Sequence, residues 1–372
     1  MKAKAFSPIF MLVMCVACAQ SDTSIQTPSE VDYNLDLVVP DLELPWGIAM
    51  LPDHSLLITE KSGLLIHFKE GNKTEIGGLP KTYVRGQGGL MGIAVHPDFT
   101  NNQRIYFTQS SSIASDDDGG NTALYSATLE GNQLIDVRLL YKAQPNTRVG
   151  RHFGSRIVFD NEGYLYFTVG DRGKRDVYPQ DLNLDGGKVY RLHDDGRIPE
   201  DNPFAGVSGA KKAIYSYGHR NPQGIARHPE TGAIWTHEHG PLGGDEINII
   251  HAGANYGWPV ITYGKNYSGT TITKETSRTG MEQPLYYWIP SIAPSGMAFV
   301  NSNFYPEWKG NLLVGSLKFE YLERIIIKNN KVVYREKVAA DIGRVRDVIV
   351  GSDGYIYLAV EGKGIFKVVP KS

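Results

Sequence analysis

The chain has 372 residues, of which 41% are apolar, so it is long enough to bury a large hydrophobic core. Its 38 Lys and Arg residues are nearly balanced by 40 Asp and Glu residues, which gives a net charge of -2. This balance excludes a broadly basic surface for nucleic acid or anionic membranes, and any anionic ligand must be held by locally placed cations.

The first 19 residues have the pattern of an export signal. Lys2 and Lys4 precede an apolar stretch (residues 9–16) and a small-residue segment (residues 17–19). The apolar stretch is too short to span a bilayer. Cleavage fits either an ordinary signal peptidase site or a lipobox with Cys18 as the lipidated residue, and we favour the lipobox. We therefore predict an exported protein, either periplasmic or an outer-membrane lipoprotein, that meets the membrane only through this lipid.

Both cysteines of the chain, Cys15 and Cys18, lie in this leader. The remainder therefore has no disulfide, no thiolate catalyst and no cysteine-ligated metal. Residues 20–40 are predicted to form a polar tether, and residues 41–372 a single domain.

A repeat occurs six times along this domain. Each copy has a small or charged residue, two or three apolar residues, a turn rich in Pro, Asp and Gly, and then an alternating apolar strand. The copies begin at Gly47, Gly92, Arg156, Gly224, Gly296 and Asp347. Each copy has the pattern of a β-hairpin. Six such units predict an all-β, six-bladed β-propeller of four-stranded antiparallel blades. A β-sandwich with accidental internal similarity is the alternative.

Three long segments rich in Gly, Asp, Asn and Pro interrupt the repeats, at residues 171–215, 237–258 and 262–294. Because loops on a rigid scaffold are where sites are usually built, we expect the chemistry at the end of the channel that these segments face.

Two short motifs in or beside these segments could bind an anion and a metal ion. Arg220 lies between glycine and proline turns, and its planar guanidinium suits a carboxylate or a quinone oxygen. Gly240 and Pro241 leave backbone carbonyls free to bind calcium, which prefers oxygen ligands. A surface turn is the alternative for Arg220.

Other candidates lie at the entrances to the repeats. His152, just before the third copy, could act as a base near neutral pH, with a hydrogen-bonded structural histidine as the alternative. Arg344 and Arg346 share one face of an extended strand and, with Lys318, indicate a ligand with several carboxylates or a phosphate. Structural ion pairs are the alternative for these cations. Gln87 lies in a glycine-rich segment that could approach a ligand closely.

These pieces resemble, in order, the motifs of the soluble PQQ-dependent glucose/sorbosone dehydrogenase family, most closely its bacterial aldose sugar dehydrogenases. The resemblance extends from about Leu42 onward, and the motifs are specific in combination rather than singly. They are Gln87-Gly88-Gly89-Leu90-Met91-Gly92, His152, Gly170-Asp171, Gly218-His219-Arg220-Asn221-Pro222-Gln223-Gly224, Glu238-His239-Gly240-Pro241, Gly244-Asp245-Glu246-Ile247-Asn248, Asn255-Tyr256-Gly257-Trp258-Pro259 and Arg344-Val345-Arg346-Asp347-Val348.

The resemblance implies a role for each matching residue. His152 would be the general base, Asp171 its support, and Arg220 the group that stabilises charge at the quinone carbonyl. Further implied contacts to pyrroloquinoline quinone (PQQ) come from Gln87, Asn221, Lys318, Arg344 and Arg346. Gly240 and Pro241 would bind the calcium ion that accompanies PQQ, Glu246 and Tyr256 a second calcium ion, and Trp288 would face the substrate.

The implied reaction is oxidation of an aldose sugar at C1 to an aldonolactone, by hydride transfer to PQQ, with the electrons passed to an external acceptor. Two positions depart from the family pattern: Arg151 stands where the best-known glucose-oxidising relatives have an acid, and Asp176 where they have an amide. Two alternatives share the predicted fold: a non-enzymatic cell-surface propeller that binds glycan or protein, and a calcium-dependent propeller lactonase.

Overall fold

A computed structural model describes residues 32–113 and 118–371. The predicted leader (residues 1–19) and the first part of the tether lie outside this range. Within it, no helix is both long enough and apolar enough to cross a membrane.

The described residues form six four-stranded antiparallel sheets, which confirms the predicted propeller. The strand that comes first in the chain is β1 (Tyr33–Pro40), and it belongs to the last blade. Blade 1 contains β2 (Pro45–Met50), β3 (Leu56–Glu60), β4 (Leu64–Lys69) and β5 (Asn72–Glu75). Blade 2 contains β6 (Leu90–Val95), β7 (Arg104–Ser111), β8 (Asn121–Glu130) and β9 (Gln133–Lys142), with the short helix α1 (Phe99–Asn102) between β6 and β7.

Blade 3 contains β10 (Ile157–Phe159), β11 (Leu165–Val169), β12 (Lys188–Leu192) and β13 (Ile214–Tyr217). Blade 4 contains β14 (Pro222–Arg227), β15 (Ile234–Glu238), β16 (Asp245–Ile249) and β17 (Tyr286–Trp288). Blade 5 contains β18 (Pro294–Phe299), β19 (Leu312–Ser316), β20 (Tyr321–Lys328) and β21 (Lys331–Val338), with a 3-10 helix at Pro306–Trp308. Blade 6 contains β22 (Val345–Val350), β23 (Ile356–Val360) and β24 (Gly364–Pro370), completed by β1.

The six repeats are the first two strands of the blades. The first strands β2, β6, β10, β14, β18 and β22 contact one another in a closed ring around the axis. Every residue of β3, β11 and β23 is buried, because these second strands are covered on both faces by neighbouring blades. The outer strand β5 is mostly exposed. The hydrophobic core therefore lies between blades rather than at one centre.

Two segment predictions need correction. Residues 33–40, which the sequence analysis assigns to the tether, form β1. This strand pairs antiparallel with β24 and is the outermost strand of blade 6. The segments predicted as long insertions also contain strands β12, β16 and β17, which complete blades 3 and 4. Their backbone groups are paired within the sheets, so these segments are not loops throughout.

The topology decides where the loops meet. In every blade the chain enters the first strand, and leaves the second strand, at the same end of the ring. Gln87, His152 and Asn221 precede first strands, whereas Asp171 and His239 follow second strands. All five of these residues therefore lie at one end of the channel, which is where the cavities are found.

Candidate active site

Two adjoining cavities open at this end of the channel. The larger, of about 600 Å³, is here named the cationic cavity. The smaller, of about 370 Å³, contains His152 and is named the His152 cavity. Gln87, Pro241 and Tyr267 line both, so the two are neighbours. Their size and position fit a small-molecule site.

A histidine–aspartate pair forms the wall of the His152 cavity. His152 is 8% exposed, and its Nδ1 lies 2.6 Å from Oδ1 of Asp171. Trp258 Nε1 donates to the other carboxylate oxygen at 2.9 Å, and the Gly173 backbone N–H donates to Oδ1 at 2.7 Å. Because an ionised carboxylate only accepts, Nδ1 of His152 carries the hydrogen and Nε2 is the nitrogen that can take a proton.

Electrostatics keep this pair in the state that a base requires. Burial lowers the pKa of His152, and the charge of Arg220 lowers it further, while the hydrogen bond to Asp171 works in the opposite direction. Burial alone would raise the pKa of Asp171, but the hydrogen bond from His152 and the charge of Arg220 bring it below its ordinary value. At neutral pH the imidazole is therefore neutral and the carboxylate is ionised.

Arg220 is held rigidly beside this pair. Its backbone N–H donates to Glu238, and its Nη1 donates to the carbonyls of His239 and Gly240, at 2.9 Å each. The guanidinium carbon lies 5.5 Å from the centre of the Trp258 ring. These contacts fix a positive charge at the cavity wall while other N–H groups of the guanidinium stay available for a ligand.

The cationic cavity gathers the other predicted cations. Among the residues that the structure describes, it is lined by Lys61, Lys318, Arg344 and Arg346, with Glu361 as the carboxylate. Glu361 accepts from Arg344 Nε at 2.6 Å and from Arg346 Nε at 2.7 Å, so it fixes both guanidinium groups. Burial raises the pKa of Glu361, but the two arginines outweigh burial and lower it. The cavity keeps a positive excess suited to a ligand with several carboxylates.

The predicted amide contacts also lie at these cavities. Gln87 Oε1 accepts from the His152 backbone N–H at 2.7 Å, which positions the histidine loop. Asn221 Oδ1 accepts from the Gly154 N–H at 3.1 Å. Gln87 and Asn221 both line the cationic cavity. Each of these side-chain amides thus accepts a hydrogen bond from the backbone through its oxygen, and each residue lies at the cavity wall.

The two residues predicted to bind calcium lie at the cavity wall as well. Gly240 and Pro241 line the cationic cavity. Asp245 holds their loop, because its Oδ1 accepts from the Gly240 N–H at 2.8 Å while Oδ2 accepts from the Ile292 N–H at 2.8 Å. The Gly240 carbonyl already accepts from Arg220, but a carbonyl oxygen has a second lone pair.

A second acidic position lies behind Arg220. Glu238 and Glu246 face each other across β15 and β16, and both line a small cavity with Tyr256. Burial raises the pKa of Glu246 well above its ordinary value, and the neighbouring Glu238 raises it further. Among the residues that the structure describes, the buried Asn248 Oδ1 has no hydrogen-bond partner there. The hydroxyl of Tyr256 is used by the protein itself, since it donates to the Ile249 carbonyl at 2.6 Å.

Trp288 does not face the substrate, which corrects its assignment. It is 2% exposed in β17 and packs in the hydrophobic cluster between blades 4 and 5. Its Nε1 lies 3.3 Å from a carboxylate oxygen of Glu323. Its position on the outermost strand of blade 4 places it far from the axis, so it belongs to the core.

Three residues at the site had been given no role from the sequence. Trp258 holds Asp171, Glu361 holds the two arginines, and Tyr267 is a 75% exposed aromatic side chain shared by the two cavities. Trp258 lies in a motif of the resemblance, so its importance could have been recognised. The other two lie in segments without a distinctive pattern.

Comparison with known proteins shows the family of the chain. The chain matches the model of the family described as Glucose / Sorbosone dehydrogenase over residues 42–367. The chain belongs to the glucose/sorbosone dehydrogenase family. Its relatives include proteins named as an aldose sugar dehydrogenase and a quinoprotein glucose dehydrogenase, which are oxidoreductases. Aldose sugar dehydrogenase YliI of Escherichia coli (strain K12) is 42% identical over 349 residues, which cover 91% of this chain and 93% of that protein.

Solved structures of similar proteins share the whole propeller. The soluble aldose sugar dehydrogenase of Escherichia coli in its apo-form has a TM-score of 0.86 at 39% identity, covering 91% of this chain and 100% of that one. The PQQ-bound aldose sugar dehydrogenase of Streptomyces coelicolor has a TM-score of 0.74 at 26% identity, covering 93% and 100%. The glucose/sorbosone dehydrogenase fold therefore accounts for nearly all of the described chain.

Proposed function

We propose that the protein is a PQQ- and calcium-dependent aldose dehydrogenase, which oxidises the C1 hydroxyl of a sugar to an aldonolactone. The observation that supports this most directly is the buried His152–Asp171 pair beside Arg220, at the wall of a sugar-sized cavity that adjoins the cationic cavity. A binding module has no need for a neutral histidine oriented by a buried carboxylate.

The residues present fit PQQ, which carries three carboxylates. Lys318, Arg344 and Arg346 would hold those carboxylates, and Gln87 and Asn221 would donate to cofactor oxygens. Gly240 and Pro241 would offer carbonyl oxygens to the accompanying calcium ion. When bound, PQQ supplies the two-electron acceptor, and calcium supplies the Lewis acid that polarises it.

The chain's own groups provide the proton chemistry. Oxidation of the sugar removes the C1 hydrogen with its two bonding electrons and the proton of the C1 hydroxyl. His152 Nε2 would take that proton, while Asp171 holds the imidazole and balances the positive charge that it gains. Arg220, held beside this pair, would stabilise the negative charge that develops on the group that accepts the hydride. The electrons then leave to an external acceptor.

A second calcium ion is proposed between Glu238 and Glu246. Two carboxylates that face each other across β15 and β16 can both be ionised only when a cation lies between them, since burial and the charge of Glu238 raise the pKa of Glu246. The unpartnered Asn248 Oδ1 and a carbonyl of the Tyr256 segment would complete the oxygen ligands. Within the described residues, no three acidic, histidine or cysteine side chains cluster as a metal site, so both ions would depend partly on backbone oxygens.

The leader predicted for residues 1–19 leads us to propose that this chemistry takes place outside the cytoplasm. The protein would be periplasmic or, with Cys18 lipidated, an outer-membrane lipoprotein.

The test is reconstitution of EDTA-treated protein with PQQ and calcium, singly and together, while aldose-dependent reduction of an artificial dye is followed. We expect saturable activity that requires both additions. His152→Ala should lower kcat by a factor of about 10² to 10⁴ while PQQ still binds. Absence of both activity and PQQ binding would reject the enzyme and favour a propeller that binds glycan or protein. Full activity of the His152 variant would remove the histidine from the mechanism.

A further inference from the structure

The His152 cavity contains more positive charge than its proposed chemistry uses. Three arginines line it: Arg151, Arg175 and Arg220. Two aspartates, Asp171 and Asp176, line it as well. How these charges are paired decides which of them are available to a substrate.

The two charges beside His152, those of Asp171 and Arg220, offset each other. Asp171 is 1% exposed and bound by His152 and Trp258. Arg220 is 6% exposed and bound to backbone carbonyls. Both belong to the proposed catalytic machinery, and neither is free to select among substrates.

The other pair is loose and open to water. Arg175 Nε lies 3.5 Å from Asp176 Oδ1, and the aspartate side chain is 80% exposed. Such an ion pair contributes little and is easily exchanged for another partner. Arg175 Nη1 also donates to Asn266 Oδ1 at 2.7 Å, which keeps the guanidinium at the cavity wall.

Arg151 has no carboxylate partner at all among residues 32–113 and 118–371. Its side chain is exposed at the cavity, next in sequence to His152. The neighbouring Arg172 shows what a structural arginine looks like in this region. It is fully buried, lies 3.4 Å above the Phe153 ring and donates to the carbonyl of Val149 at 2.6 Å. The Arg151 guanidinium lies beside the backbone of Gly173, but among the described residues its side chain has no hydrogen bond, ion pair or aromatic ring contact, so its donors are open to a ligand.

We infer that Arg151 and Arg175 form a subsite for an anionic group, and that the preferred substrates are aldoses carrying a carboxylate or a phosphate away from C1. This inference rests on the proposed function. The sugar would place its C1 hydroxyl at His152 and its acidic group against the two guanidinium groups. Arginine is well suited to both carboxylate and phosphate because its N–H donors form a planar fork.

The experiment compares D-glucose, D-glucuronate and D-glucose 6-phosphate as substrates of the enzyme reconstituted with PQQ and calcium. Because the subsite is open to solvent, we expect kcat/KM to be about 3- to 10-fold higher for an acidic sugar than for glucose. The preference should shrink as sodium chloride is added, because salt screens exposed charges. The values of kcat/KM for D-glucuronate and D-glucose 6-phosphate also show whether the subsite prefers a carboxylate or a phosphate.

The variants Arg151→Gln and Arg175→Gln should each lower the ratio of kcat/KM for the acidic sugar to that for glucose. Arg197→Gln is the matched control, because it removes one exposed arginine charge at another surface. Thermal melts of the cofactor-free protein give a second readout: the acidic sugar should raise the melting temperature more than glucose does, and less so in Arg151→Gln.

Oxidation of glucose without any preference for acidic sugars would overturn the inference and leave the proposed function intact. A preference that neither variant reduces would also overturn it, because the selecting charge would lie elsewhere. Failure to oxidise any aldose, with PQQ and calcium present, would reject the proposed function itself.

Discussion

At the scale of single residues, the site depends on a histidine kept neutral by its surroundings. Burial and Arg220 lower the pKa of His152, so the imidazole accepts a proton at neutral pH without first having to lose one. Asp171 works against this shift and orients the ring through its 2.6 Å contact. The position of the acid limb in a pH profile therefore reports the balance between the carboxylate and the arginine.

Asp171→Asn tests this balance. The amide keeps the shape but removes the charge that raises the pKa of His152, so that pKa should fall further. In the reconstituted enzyme we expect kcat to drop by about 10- to 100-fold, with the acid limb of the kcat profile displaced to lower pH. Trp258→Phe removes the hydrogen bond that Trp258 Nε1 donates to Asp171 but keeps the charge of Asp171. The acid limb of this variant should therefore stay near that of the original protein. An acid limb displaced upward in Asp171→Asn would contradict the assignment.

At the scale of strands and loops, the sequence predicts the inner half of each blade better than the outer half. The first two strands of every blade carry the apolar repeat, and second strands such as β3, β11 and β23 are buried on both faces. Outer strands such as β5 are exposed and lose that pattern. The strand β1 has the alternating pattern of a strand, with Tyr33, Leu35 and Leu37, but it pairs with β24, more than 300 residues away in the chain, so local pattern could not assign it to blade 6.

The same limit applies to the site. His152, Asp171 and Arg220 lie in turns with distinctive patterns, and the fold brings them to one cavity. Trp288 was misassigned because an aromatic residue beside a long loop looks the same whether it faces a ligand or the core. Only the topology, which places β17 at the outer edge of blade 4, distinguishes the two.

The pairing of β15 with β16 leads to a prediction about metal binding. Glu238 and Glu246 are directly opposed, so without a cation they either repel or Glu246 has to hold a proton, as its raised pKa indicates, and a bound cation would stabilise blade 4. With no PQQ present, calcium should raise the melting temperature of EDTA-treated protein, by on the order of 5 °C. Glu246→Gln should abolish this increase and melt no lower than the original protein in EDTA. Glu230→Gln, an exposed change in the β14–β15 turn, serves as the control. A calcium response that survives in Glu246→Gln would place the ion elsewhere.

At the scale of the whole molecule, the first residues of the six repeats occupy equivalent positions, which together form a ring around the axis. Four of these are glycines: Gly47, Gly92, Gly224 and Gly296. A side chain at Gly92 would lie 2.1 Å from the Ser155 carbonyl oxygen, so a larger residue cannot fit there. The other two positions carry Arg156 and Asp347, whose side chains form a buried ion pair at 2.6 Å.

This ion pair connects blades that are far apart in the chain. Asp347 also accepts from the Ile48 N–H at 3.0 Å, and Arg156 donates to the carbonyls of Gln223 and Arg346 at 2.7 Å each. Blades 1, 3, 4 and 6 are thereby joined across the axis. Through the Arg346 carbonyl the pair also contacts a residue that lines the cationic cavity.

Breaking the pair should therefore destabilise the closed ring strongly. Arg156→Met leaves Asp347 buried without its partner, and we expect a loss of about 3–5 kcal/mol in the free energy of unfolding. The double variant Arg156→Met with Asp347→Leu should lose less than the sum of the two single changes, because no buried charge remains. Denaturant unfolding of the four proteins measures this coupling. Lys69→Met is the control, since the Lys69–Asp53 pair is exposed on blade 1 and should contribute no more than about 1 kcal/mol. Strict additivity of the two axial changes would mean that the apolar faces alone hold the blades together. The charges at the axis would then serve the cationic cavity rather than closure of the ring.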